Sequence, residues 1–94
     1  MTILVEDNPA RRRFEILVDD ALAGFATYHV QPGEIVVAHT EIDPAYRGQG
    51  AGEALAHGLL EQIRGRGEQV VPQCPFIAAY IERHPEFADL VVGG

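Results

Sequence analysis

The stretch Arg47-Gly48-Gln49-Gly50-Ala51-Gly52 follows an Asp43-Pro44 break and leads directly into Leu55, Leu59 and Ile63, which recur every fourth residue with Leu60 on nearly the same face. That spacing predicts an amphipathic helix over residues 50 to 65, opened by a glycine turn. Glycines at the mouth of a helix let the backbone approach a ligand closely. The first helical N–H groups, unpaired within the helix and reinforced by its dipole, then face a bound anion such as a pyrophosphate. Glycine-rich turns also simply start helices, so both readings stand at this point. The turn lacks a Gly-Lys-Ser/Thr ending, which excludes a triphosphate P-loop, and the chain has no long βαβ repeat for a dinucleotide fold.

Upstream, Phe14, Ile16 and Val18 alternate with Arg13, Glu15 and Asp19, the period of a half-buried strand. Asp19-Asp20 turns the chain into a second strand over Ala23 to Val30, and Pro32-Gly33 turns it into a third over Glu34 to Ile42. These three are expected to be antiparallel. Downstream, Gly65 and Gly67 stop the helix, Gln69 to Gln73 reads as a fourth strand, and Pro75 opens a second helix carrying Ile77, Tyr80 and Ile81 as far as His84-Pro85. The expected fold class is α/β, of the α+β kind with a mixed sheet, in the order β-β-β-α-β-α. Arg11 to Arg13 reads as a solvated basic edge that discourages sheet pairing.

Ninety-four residues and 10.3 kDa suit one domain, residues 1 to 94, with a single core. A net charge of -7 opposes nucleic acid as a partner. All seven cations are Arg, so an anion would be held by guanidinium or by backbone N–H groups. The single Cys74 forms no internal disulfide, and neither a leader nor a bilayer-length apolar run is visible, so a cytoplasmic monomer or weak dimer with no membrane partner is expected. One cysteine and scattered histidines give no metal-ligand spacing, and no chemical role is read from His29, His57 or His84.

Arg47, Gly50 and Gly52 match the acetyl-coenzyme A turn of the Gcn5-related N-acetyltransferases. Together with His39-Thr40-Glu41-Ile42-Asp43-Pro44, Pro72-Gln73-Cys74-Pro75-Phe76-Ile77 and Tyr80-Ile81-Glu82-Arg83-His84-Pro85, the chain resembles the very small branch of that superfamily from about Phe14 to Leu90. The resemblance implies an acetyltransferase that takes acetyl-coenzyme A as cosubstrate. Its diphosphate would be held at Arg47, Gly48, Gln49, Gly50, Ala51 and Gly52, and its pantetheine arm would pair with backbone where the strand ending at Ile42 splays from the next. Full-length relatives carry additional helices between the first strands and further strands after the last helix, elements that shape the acceptor site. The acceptor, expected to be an amine, is therefore not given by analogy.

Cys74 precedes a helix opened by Pro75, so its thiol is expected to face the unpaired N–H groups of that helix end, which favour thiolate. The resemblance places an active-site cysteine there, and exchange of one thioester for another would make a covalent acetyl-enzyme feasible. The spacing of His39 and Glu41 puts both on one face of their strand, where either could relay a proton from an acceptor amine. Tyr80 stands where the superfamily often carries a tyrosine that protonates the departing thiolate, although its spacing also suits core packing. A non-catalytic coenzyme A-binding or protein-interaction module of the same fold is the rival expectation.

Overall fold

The computed structural model describes residues Met1 to Gly93. Five strands form one sheet in the order β1-β2-β3-β4-β5: β1 Ile3–Asn8, β2 Arg13–Val18, β3 Ala21–Gln31, β4 Glu34–Ile42 and β5 Gln69–Pro72. The first four are antiparallel and β5 runs parallel to β4. The connection from β4 to β5 carries a short 3-10 turn, Pro44–Tyr46, and helix α1, Ala51–Gly65. Helix α2, Pro75–Arg83, and a second 3-10 turn, Pro85–Leu90, follow, and Val91 then bridges to Val70 of β5. This is the expected mixed α+β sheet with one strand more, giving β-β-β-β-α-β-α. No described helix is long and apolar enough to cross a membrane.

Strand β1 escapes a sequence reading because Ile3, Leu4 and Val5 run straight into Glu6, Asp7 and Asn8, residue types depleted in strands. Pairing overrides propensity: β1 is in register with β2 from Ile3 opposite Val18 to Asn8 opposite Arg13. Arg11 and Arg12 belong to the hairpin turn, with Arg12 at φ 51°. Arg13 is no solvated edge. It pairs with Glu15 at 2.7 Å and lies over the Phe25 ring at 4.6 Å, within a strand paired on both sides.

Phe14, Ile16 and Val18 point inward from β2 onto the buried face of α1, formed by Leu55, Leu59, Leu60 and Ile63. Gly58 lets this helix approach β1 closely, because a Cβ there would lie 2.6 Å from Val5 Cβ. Gln62 Nε2 donates to Val5 O at 2.8 Å, and Arg66 meets Asp7 at 2.7 Å. The same Asp7 accepts a 2.5 Å hydrogen bond from the Tyr28 hydroxyl. Burial, with the hydrogen bond to Asp7 and its negative charge adding, pushes Tyr28 up to about 12 from 10.0. The fold therefore favours the neutral phenol. Its contribution to stability is whole below pH 10 and is lost as pH rises toward about 12. Unfolding free energy measured against pH is expected to fall across that window, and Tyr28→Phe to flatten the fall. An unchanged slope in the variant would assign the alkaline loss to other groups.

Candidate functional site

The site grows from an interruption in β4. Thr27 pairs with His39 but Tyr28 pairs with Val37, so Ala38 is an extra residue, a β-bulge. Strict alternation would send Ile35, Val37, His39 and Glu41 to one face. The bulge resets the alternation: Ile35 and Val37 point into the core, whereas His39 and Glu41 emerge on the outer face and Thr40 takes the inner one. His39 and Glu41 do share a face, as their spacing implies, with His39 Nε2 hydrogen-bonded to Glu41 Oε1 at 3.1 Å and both side chains well exposed.

On its other side, β4 pairs with β5 only from Glu34 to Val37. Pro72 ends β5, the Cys74 N–H donates to Val37 O at 3.0 Å, and the chain turns away into α2. Beyond Ala38, no strand among the described residues covers the β5 side of β4, so its backbone edge is open.

The glycine turn closes this opening from below. Asp43 caps the Pro44–Tyr46 turn by accepting from Ala45 N at 2.9 Å. Gly48 and Gly50 both have φ 78°, the left-handed region open to glycine, and an added Cβ at either would meet nothing within 4 Å. The first bond of α1 runs from Ala54 N to Gly50 O at 3.0 Å, and Gly50 brings no side-chain cap. The N–H groups of Ala51, Gly52 and Glu53 thus precede the helical ladder. Gly52 serves a different purpose, since a Cβ there would lie 2.9 Å from Phe76 Cζ, so its hydrogen lets α2 pack against the start of α1.

Two clefts adjoin here. The first, about 490 Å³, is walled by the glycine turn, Thr40, Ile42, Arg47 and Phe76. Of the residues expected to bind the cosubstrate, Ile42, Arg47, Gly48, Gly50, Ala51 and Gly52 line it. Gln49 does not, because its side chain turns back to donate to Ala45 O at 3.3 Å. The second, about 660 Å³, lies on the outer face, where His39 and Glu41 join Leu22, Phe25 and Asp43. Thr40, Ile42 and Arg47 line both.

Cys74 and Tyr80 line neither cleft. Cys74 occupies the N-cap position of α2, but its thiol makes no capping bond. It is buried and donates instead to Thr40 Oγ1 at 3.3 Å, which corrects the expectation that it faces the helix N–H groups. Tyr80 is buried in the core, its hydroxyl 3.4 Å from His57 Nδ1 and its ring stacked on His84 at 3.9 Å. Burial, then the charges of Glu86 and Glu53, raise its pKa. Sequence reading passed over Thr40, Phe76 and His57. Thr40 sits inside a quoted motif, but no local pattern announces the bulge that turns it toward Cys74.

The family described as GCN5-related N-acetyl-transferase matches residues 13–90. The solution structure of a GCN5-like protein from Staphylococcus aureus superposes with a TM-score of 0.70 at 22% identity, over 94% of this chain and 86% of that one, and so shares its fold. The crystal structure of the ribosomal-protein-S18-alanine N-acetyltransferase from Escherichia coli gives a TM-score of 0.57 at 29% identity, over 63% of this chain and 40% of the Escherichia coli chain. Sequence comparison with curated proteins finds no match. A bulged β4 with an open edge above a glycine turn thus lies within a sequence match running from the start of β2 to the last 3-10 turn, and the chain belongs to the GCN5-related N-acetyltransferases.

Proposed function

We propose that this domain transfers an acetyl group from acetyl-coenzyme A to an amine. The observation that carries the reading is the set of uncapped N–H groups at Ala51, Gly52 and Glu53, set on a cleft that continues along the open edge of β4. These donors suit a diphosphate, and the open space beside Gly48 and Gly50 suits its close approach. Arg47 makes no ion pair among the described residues and adds positive charge to the same cleft. The free edge of β4 offers backbone partners to a pantetheine arm. Bound there, the cosubstrate supplies an acetyl thioester whose carbonyl carbon an amine can attack, the C–N bond forming as C–S breaks and the sulfur taking up a proton.

His39 is the residue proposed to take the proton from the amine, with Glu41 holding its ring at 3.1 Å. Direct transfer accounts for more of the geometry than a covalent relay, because the Cys74 thiol is buried against Thr40 and outside both clefts. Tyr80, equally remote, is assigned to the core. The same burial of Cys74 and Tyr80 also favours the rival reading, a coenzyme A-binding module without catalysis.

Calorimetric titration with acetyl-coenzyme A, followed by amine-dependent thiol release, tests these readings in order. Binding with turnover is expected, with Cys74→Ala retaining most of the rate and His39→Ala losing about 100-fold. A one-acetyl mass increase on Cys74 during turnover, with loss of activity in Cys74→Ala, would replace direct transfer by the covalent route. Binding heat without thiol release would establish the module, and absence of binding would defeat both.

A further inference from the structure

We propose that the second cleft receives the acceptor and selects a primary ammonium carried on an apolar body, an inference that rests on the acetyl-transfer reading above. The outer face of the sheet carries a row of leucines. Leu4 pairs with Leu17 and Leu17 with Leu22, and directly opposed residues project to the same face. Their neighbours Ile16 and Val18 are buried on the inner face, so the row points outward, and Leu4 and Leu22 are 47% and 43% exposed. Leu22 ends the row at the second cleft, where it and Phe25 form an apolar wall. Neither Leu22 nor Phe25 belongs to the hydrophobic core.

Acidic residues face this wall across the β3–β4 pair: Glu41 lies directly opposite Phe25, and the Asp43 N–H donates to Ala23 O at 2.8 Å. Glu41 Oε1 is bonded to His39, and Asp43 Oδ1 accepts from Ala45 N, while the second oxygen of each carboxylate has no partner among the described residues. Arg47 also lines the cleft, but it is shared with the first cleft, where the diphosphate is expected. Arg13, over Phe25, is neutralised by Glu15. A carboxylate or phosphate on the acceptor would meet Glu41 and Asp43 and be repelled, whereas an ammonium would be attracted. The two clefts meet at Thr40 and Ile42, so the nitrogen belongs there beside the acetyl donor and the apolar body extends toward Leu22. A volume of about 660 Å³ suits a small ligand or the first residues of a peptide.

The test is an amide-NMR titration of the whole chain with 2-phenylethylamine, with and without coenzyme A. Shifts are expected to centre on Leu22, Phe25 and Glu41, with phenylacetate and putrescine binding at least about tenfold more weakly. Leu22→Glu is expected to weaken 2-phenylethylamine binding by about tenfold or more. Val30→Glu, at the other end of β3, should leave it unchanged. A Leu-Phe-Gly peptide binding more tightly than 2-phenylethylamine, and only with a free N-terminus, would identify a chain terminus as the acceptor. The reverse order would identify a free small amine, and both support the proposal. Equal binding of phenylacetate or putrescine, an unchanged Leu22→Glu, shifts centred elsewhere, or no response at millimolar amine would each overturn it. Failure to bind acetyl-coenzyme A would defeat the acetyl-transfer reading, while titration with the amine alone still decides this one.

Discussion

Gly24→Val is expected to lower the unfolding free energy by about 3 kcal/mol, near the upper end of ordinary overpacking costs. Residue propensity points the other way, since valine favours strands and glycine weakens them. The deciding contact is with backbone: a Cβ at Gly24 would lie 2.6 Å from the Glu41 carbonyl oxygen and 2.6 Å from Ile42 Cδ1. A side chain could swing away from such a contact, but a paired strand can yield only by shifting. Gly24 is opposite Ile42 at the end of β4 that lines both clefts. The variant should therefore lose ligand response along with stability. Urea unfolding checks the sign, with a midpoint lowered by about 1 to 3 M for a domain of this size. A variant as stable as the parent would refute the close β3–β4 approach at Ile42.

Gly50→Asp tests the proposed anion cradle separately from the fold. At φ 78° and ψ 12°, a left-handed conformation, aspartate is among the better tolerated non-glycine residues, and an added Cβ meets nothing within 4 Å. The cost in stability is expected to stay near about 1 kcal/mol, offset in part by a carboxylate at the positive end of α1. Affinity for acetyl-coenzyme A should instead fall by about 100-fold or more, because the new charge repels a diphosphate and competes for the N–H groups of Ala51, Gly52 and Glu53. Gly50→Ala carries the backbone strain without the charge and should lose much less. Calorimetry on both variants gives the comparison. Equal losses in the two would show that the added charge has no effect of its own and would count against an anion at the helix terminus.

Much of this was legible along the chain. Leu55, Leu59, Leu60 and Ile63 marked the buried stripe of α1, and Phe14, Ile16 and Val18 the inner face of β2, because each pattern repeats with the period of its own element. The glycine turn was legible in position, but its glycines looked equivalent. Gly48 and Gly50 answer to backbone conformation, whereas Gly52 answers to Phe76, a residue on another helix. β1 and the role of Arg13 were hidden, since both depend on a partner strand rather than on local preference.

The sequence by itself determined the types of the elements after β1, the buried faces of the main strands and helices and the glycine turn that opens α1, all properties of residues within a few positions of one another. Tertiary structure decided which side of β4 each candidate residue occupies. One unpaired residue, Ala38, turns His39 and Glu41 outward and brings Thr40 to the buried Cys74 thiol. A bulge is set by how two strands pair, and the spacing of residues along either strand contains no trace of it.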